Sequence, residues 1–245
     1  MKRPDHRRPN QLRPTLFTWD FAPQSLASVL IECGETRVIC AVSHEASVPR
    51  WKQAQGIPGG WVTAEYAMLP YSTPERKMRD IVKGKLDGRS SEIQRLIGRS
   101  LRSVVNMEAL GTSSLWVDCD VLSADGGTRT SAITGSCLAL RLAIERLQGR
   151  GVITGNPMSQ WVAATSVGLW NGQAILDLNY PEDRDADVDM NVVMTSNGEL
   201  VEVQASGEEA TFSLAEMDQL MKLAHSGIRK LLTFQRRAWK ARPTS

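Results

Sequence analysis

One pattern, met twice, limits the folds open to this chain. Residues 26–43, LASVLIECGETRVICAVS, alternate apolar and polar on both sides of Gly34-Glu35-Thr36. That is the signature of two antiparallel strands joined by a tight turn. Residues 162–180, VAATSVGLWNGQAILDLNY, repeat the pattern around Asn171-Gly172. The two hairpins occupy similar places in the two halves of the chain, about 10–150 and 151–240, as an ancient internal duplication would leave them. Long helical segments follow each. Ile93, Leu96, Ile97, Leu101, Val104 and Val105 make an apolar stripe that predicts a helix over 89–105, with Arg95, Arg99 and Arg102 mainly on its other side. Residues 115–122 read as a strand. The segment 127–148 reads as a helix whose Ala132, Gly135, Ser136, Ala139 and Ala143 allow close packing. Strands are expected at 190–195 and 199–205. A final helix begins at the Ser213/Glu216 capping box, with Phe212 and Met217 as its hydrophobic staple. Strand hairpins followed by helices, twice over, give an α+β class with helices packed on sheets. No Pro/Gly-rich linker divides the chain, so residues 1–245 are expected to form one unit of two similar halves.

Composition narrows the function. With 42% apolar and 23% charged residues in 245, the chain has the make-up of an ordinary globular protein. No run reaches the roughly 18 apolar residues of a membrane span, and residues 1–14 lack the apolar core of a secretory signal. Four scattered cysteines without a C-x-x-C pair suit a reducing compartment, so a cytoplasmic location is expected. The net charge of +2 hides a strong asymmetry. Residues 1–13 carry five Lys/Arg against one Asp, 71–105 nine against four acids, and 222–242 seven against none. Residues 177–218 carry twelve acids and a single Arg184. Each block alone can be a solvated face; three basic blocks together point to a polyanionic partner. Three distant histidines, no G-x-S-x-G and no H-E-x-x-H leave covalent and zinc chemistry without support.

Three elements can carry chemistry. In 120-DVLSADGGTRTSAITGSCLAL-140 a strand passes through Gly126-Gly127 into a helix. The glycines allow close backbone approach, Thr128 offers a hydroxyl and an amide, and the helix start offers free N–H groups. Arg129 adds a fork for two phosphate oxygens. The plain alternative is a tight turn with an exposed arginine. In 83-KGKLDGRSSEIQR-95, Lys83, Lys85 and Arg89 at a helix start can hold phosphate or can be a solvated loop. In 181-PEDRDADVDMNVVM-194, Asp183, Asp185, Asp187 and Asp189 repel one another and need a neutralising partner, magnesium or arginine. Phosphate binders beside metal-competent carboxylates suit phosphoryl transfer, and the basic blocks extend this to a nucleic-acid substrate.

The segments 10-NQLRP-14, 61-WVTAEYAMLP-70, 88-GRSSEIQRLIGRSLR-102, 117-VDCDVLSADGGTRTSAITG-135 and 189-DMNVVMT-195 together resemble the ribonuclease PH family, phosphate-dependent 3′-exoribonucleases that trim tRNA precursors. The resemblance covers nearly the whole chain. It implies two βαβα-type halves with helices on mixed sheets, related to the second domain of ribosomal protein S5, and a homo-hexameric ring, a trimer of dimers. It also implies that Arg89 and Gly127-Thr128-Arg129 hold inorganic phosphate as co-substrate. Asp183 and Asp189 match the family's catalytic carboxylates, associated with Mg2+, and Arg76 and Arg79 match loop residues that grip tRNA. Arg99 belongs to the same expected RNA surface. Where the family commonly has an arginine after Met-Leu-Pro this chain has Tyr71, which can stack on a base or ribose but cannot neutralise a phosphate. Asp189 is expected to serve the departing oxygen as metal ligand or as acid. Two rival functions are a non-catalytic RNA-binding ring subunit of an exosome-like complex and a small-molecule phosphotransferase. The retained arginines and aspartates speak against the first, the missing P-loop lysine against the second.

Overall fold

Alternation builds the first sheet. In the computed structural model, which describes residues 3–85, 87–207 and 210–243 (residues 81 and 83 by backbone alone), β1 (Thr15–Trp19), β2 (Ala27–Cys33) and β3 (Thr36–Glu45) form an antiparallel meander. After the short α1 (Arg50–Ala54), β4 (Trp61–Met68), α2 (Asp80–Lys83) and α3 (Gly88–Arg102), β5 (Ser114–Ser123) enters between β3 and β4. It runs antiparallel to β3 and parallel to β4. A parallel neighbour requires a crossover, and α3 supplies it by packing back on the sheet. Val38, Cys40 and Val42 on β3 and Val117, Cys119 and Val121 on β5 point into the core, whereas Arg37 and Ser43, which flank the β3 set, face solvent.

The second sheet has the order β7-β6-β8-β9 and is antiparallel throughout. Its strands are β6 (Val162–Trp170), β7 (Gln173–Leu176), β8 (Val188–Thr195) and β9 (Leu200–Gly207). Asn171 and Gly172, at φ 51° and 71°, make the left-handed two-residue turn that joins β6 to β7. Helix α4 (Thr128–Gly149) explains how the sheets combine, because it packs against β2 and β3 and also against β6. A helix flanked on several sides has no polar face to keep, hence its run of small and apolar residues. β6 is accordingly buried on both faces: Val162 and Ala164 join the α4 core, while Ala163 and Val167 meet Leu220, Ala224 and Ile228 of α6 (Leu214–Lys240). Gln235 of α6 donates to the carbonyls of Thr134 and Val162, tying α6 to both α4 and β6. The Ser213–Glu216 capping box is formed as expected. The first stripe helix ends at Arg102, three residues early, and Val104 and Val105 fill the core from the following loop. Among the described residues no helix is long and apolar enough to cross a membrane.

The N-terminal segment departs from the sequence expectation. Three cations of the 1–13 block, Arg3, Arg7 and Arg13, are buried in ion pairs and so do not face a polyanion; Lys2 lies outside the described residues. Arg3 grips Glu182 bidentately, Nε to Oε1 at 2.7 Å and Nη2 to Oε2 at 2.6 Å. Arg13 meets Asp177 through Nη2–Oδ1 at 2.7 Å and through its own amide, which donates to Oδ2 at 2.7 Å. Arg7 reaches both acids, each at 3.4 Å. Glu182 sits in the short helix α5 (Tyr180–Arg184), where it completes a capping box with Asn179. The acidic stretch before β8 is therefore partly helical.

Burial alone would raise the Asp177 pKa, yet the positive charge of Arg13, its hydrogen bonds, and Arg7 hold it below the usual 3.8. A depressed carboxylate contributes stability above its unfolded pKa and loses it as pH falls through the folded one. Asp177→Asn should therefore cost about 3–5 kcal/mol at pH 7, by leaving buried arginine charge uncompensated. Urea unfolding should show the gap to the wild type narrowing as pH falls below about 4.

Candidate active site

The strand-to-helix turn is held from behind. Gly126 and Gly127 both adopt left-handed φ, 72° and 64°, and neither has room for a side chain. A Cβ on Gly126 would stand 2.6 Å from the Leu178 carbonyl oxygen, and one on Gly127 2.8 Å from Arg13 Nη2. The Asp125 carbonyl accepts from Arg13 Nη1. The Gly126 carbonyl accepts from Thr36 Oγ1 at 2.7 Å and from Arg13 Nη2 at 3.4 Å. In a trans peptide the N–H points opposite to the C=O. Fixing these carbonyls inward therefore turns the Gly126 and Gly127 N–H groups outward, and among the described residues neither has an acceptor. Gly127 also caps α4 without a side chain, so the first-turn amides of a 22-residue helix stay open at its positive end.

Four of the expected residues converge there. Asp183 stands on α5 and Asp189 on β8. Burial raises the Asp183 pKa, the charge of Asp189 raises it further, and Arg89, Arg129 and Arg13 pull it back. That balance puts two carboxylates and three guanidinium groups in one electrostatic environment. Arg89 projects from the exposed start of α3 and Arg129 from the first turn of α4. Arg129 Nη1 donates to Gln204 Oε1 at 2.8 Å and to Glu92 Oε1 at 3.4 Å, while Gln204 Nε2 donates to Glu92 Oε1 at 3.1 Å. The arginine is thus braced by α3 and by β9, across the two halves. Tyr66 Oη lies 2.8 Å from Thr128 Oγ1.

The half-buried carboxylates of Asp183 and Asp189 accept no hydrogen bond from any described residue, and the charge of Asp189 opposes the ionisation of Asp183. A divalent hard cation fits such a donor pair. Among the described residues no group of three or more His, Cys, Asp or Glu could hold a metal. A cation here would therefore rely on two carboxylates, water and substrate oxygens, the habit of Mg2+.

The remaining expected residues lie on the surface. Tyr71, Arg76 and Arg79 are exposed on the loop between β4 and α2, with Tyr71 at 69%. Arg79 borders a cleft of about 370 Å³ that also meets Ser90 and Gln94 of α3. Burial pushes the pKa of Asp120 up, and the charge of Arg79 only tempers the rise. Arg99 pairs with Glu202 of β9 and remains more than half exposed. Lys85 is exposed, and the side chain of Lys83 lies outside the described residues; Asp185 pairs with its neighbour Arg184. Sequence reasoning missed Tyr66, Gln204, Arg13 and Asp177. Tyr66 had a signal, since a tyrosine on the inward register of a strand must find a partner for its hydroxyl. Gln204 had none.

Comparison with known proteins identifies the family. Residues 11–144 match the model of the 3′ exoribonuclease family, domain 1, and residues 160–227 match that of domain 2. A protein named Ribonuclease PH from Syntrophomonas wolfei subsp. wolfei is 52% identical over 236 residues, 96% of this chain and 98% of its own. One of the same name from Crocosphaera subtropica is 51% identical over 237 residues, 97% of each chain. The crystal structure of rice (Oryza sativa) Rrp46 superposes with a TM-score of 0.78 at 20% identity, over 97% of this chain and 100% of that one. The Archaeoglobus fulgidus exosome with RNA bound to its active site gives 0.79 at 18%, over 97% and 92%. At such identities these structures speak for the fold alone, while the sequence relatives and both family models decide the family. The chain belongs to the ribonuclease PH family of 3′ exoribonucleases.

Proposed function

We propose that this protein is a phosphorolytic 3′-to-5′ exoribonuclease, a phosphate-dependent nucleotidyltransferase that shortens tRNA precursors one nucleotide at a time and releases nucleoside diphosphates. The observation that carries the reading is the 52% identity, over nearly the full length of both chains, to a protein named Ribonuclease PH. The convergence of Arg89, Arg129, Asp183 and Asp189 around the open start of α4 supports it.

In this reading inorganic phosphate rests on the outward N–H groups of Gly127 and Thr128, with Arg89 and Arg129 on its oxygens. One oxygen attacks the phosphorus of the last phosphodiester, in line with the departing 3′-oxygen. A new P–O bond forms, the old P–O3′ bond breaks, and the electron pair leaves on the 3′-oxygen, which ends as a hydroxyl by taking up the proton that the attacking hydrogen phosphate gives up. The attacking ion is already charged, so the barrier is repulsion between two anions, and fixed guanidinium and amide groups lower it. Asp183 and Asp189 would hold Mg2+, which when bound neutralises charge on the reacting phosphates. Tyr71, Arg76, Arg79 and Arg99 supply the RNA grip, in a homo-hexameric trimer of dimers working in the cytoplasm. The rival, a non-catalytic ring subunit, has no need of the paired carboxylates.

The deciding experiment gives the protein a tRNA with extra 3′ nucleotides, with and without phosphate. Nucleoside diphosphates should appear only with phosphate, and their absence in both arms would leave the non-catalytic subunit. Arg129→Ala should lower phosphorolysis by about 100-fold or more while RNA affinity in a filter-binding assay stays within about threefold. Asp189→Asn should lose turnover and the response to added Mg2+ but keep RNA affinity. RNA binding by the wild type should weaken steeply between about 50 and 200 mM salt, because it rests on phosphate contacts.

A further inference from the structure

We propose that Tyr66 is a positioning residue that aims the Thr128 hydroxyl proton at the attacking phosphate. The inference rests on the phosphate site proposed above. Tyr66 faces inward from β4, is 2% exposed, and has its Oη 2.8 Å from Thr128 Oγ1. Of the two hydroxyls the phenol is the stronger acid and the weaker base, so Tyr66 donates and Thr128 accepts. The proton of Thr128 must then point elsewhere, and among the described residues nothing accepts it.

Several helical hydroxyls find an outlet in the turn before them. Thr130 returns its proton to the Gly127 carbonyl at 2.9 Å, Thr233 to Arg229 at 2.9 Å and Ser100 to Leu96 at 2.7 Å. Thr128 stands at the first position of α4, where no helical turn precedes it, and the Asp125 carbonyl three residues back is taken by Arg13. Around this unspent donor lie the open N–H of Gly127 and the guanidinium groups of Arg89 and Arg129, whose charges reach the Tyr66 phenol. The free acceptors of the site are Asp183 and Asp189, and among the described residues neither takes the Thr128 hydrogen, so this hydroxyl, the open N–H and the two guanidinium groups are left for an anion. A phenylalanine would fill the same space in the core; the oxygen of Tyr66 is what orders the threonine.

The test is steady-state phosphorolysis of an RNA tail with phosphate and RNA varied separately, for the wild type, Tyr66→Phe, Thr128→Val, Thr128→Ser and the Tyr66→Phe/Thr128→Val double variant. Tyr66→Phe should raise KM for phosphate by about 3- to 10-fold, the loss of one ordering hydrogen bond, with KM for RNA within about twofold and the melting temperature little changed. Thr128→Val should raise phosphate KM at least as much. The double variant should be no worse than Thr128→Val, and Thr128→Ser, which keeps the hydroxyl, should stay near the wild type. An unchanged phosphate KM in Tyr66→Phe beside an impaired Thr128→Val, or effects that multiply in the double variant, would overturn the role of Tyr66 alone. An unchanged phosphate KM in Thr128→Val would overturn the hydroxyl contact and Tyr66 with it, whereas phosphorolysis unchanged in Arg129→Ala would bring down the phosphate site itself. Should Tyr66→Phe fail to fold, a wild-type-like Thr128→Val still refutes the inference and a wild-type-like Thr128→Ser beside an impaired Thr128→Val supports the hydroxyl it depends on.

Discussion

The buried ion pair between Arg13 and Asp177 is the contact on which the rest of the site depends. Taking a guanidinium and a carboxylate out of water is expensive, and the pair is tolerable only because nearly every hydrogen-bonding position is used. Asp177 accepts from the Arg13 amide, Nε and Nη2, and Arg7 adds a fourth donor at 3.4 Å. Arg13 spends its remaining N–H groups on the carbonyls of Asp125 and Gly126. One side chain therefore fixes the N-terminal segment, the end of β7 and the back of the glycine turn together. Its contribution is register more than net stability. Hydrophobic side chains of equal volume could fill the space, but they could not hold two peptide carbonyls inward and so turn the amides outward.

The same logic explains why the site lies between the halves. The helix start and Arg129 come from α4, Arg89 from α3, the carboxylates from α5 and β8, and the brace on Arg129 from Gln204 on β9. Neither half contains the arrangement alone. Tight packing on both sides of α4 gives the two halves one core boundary, and a helix buried among sheets cannot slide by a residue without exposing or crushing small side chains such as Gly135, where an added Cβ would stand 2.8 Å from Cys40 Sγ. The position of Thr128 and Arg129 is thus set by the fit of α4 around Gly135, about two turns further on.

Much of this was legible in the sequence, and what was not has a physical reason. The hairpins at 26–43 and 162–180 were readable because the turn residues and the period of two act locally, as were α4 and the capped start of α6. The extent of α3 was misjudged because Val104 and Val105 serve the core from a loop, and apolar periodicity cannot tell a last helical turn from a packed loop. β1 escaped notice as an edge strand whose alternating residues, Leu16 and Thr18, are exposed. The arginines of the N-terminal block looked like solvated charge, because Arg3 and Glu182 are 179 residues apart and nothing local announces their pairing. The candidate site was found through residue types that chemistry demands. Gln204, which braces another side chain, left no local trace, and Tyr66 left only the rule that a buried hydroxyl needs a partner.

The arginine after the glycine pair can now be weighed against the lysine that a nucleotide-binding loop would carry. Arg129 is tethered on one side, through Nη1 to Gln204 and Glu92, while Nη2 and Nε have no partner among the described residues. Those two N–H groups lie along one edge of a rigid plane, the geometry that meets two oxygens of a tetrahedral anion at once. A lysine held by Gln204 would have its ammonium drawn to the amide and would present no second fixed donor. A tethered guanidinium, by contrast, orients an anion without being displaced by it, and Glu92 tempers its charge so that the ion need not be held too tightly to react. Such a site suits a small ion that must be turned in one direction and then consumed, and it is less suited to retaining a nucleotide by its phosphates. Glu92 and Gln204 thereby become part of the reason this turn takes arginine.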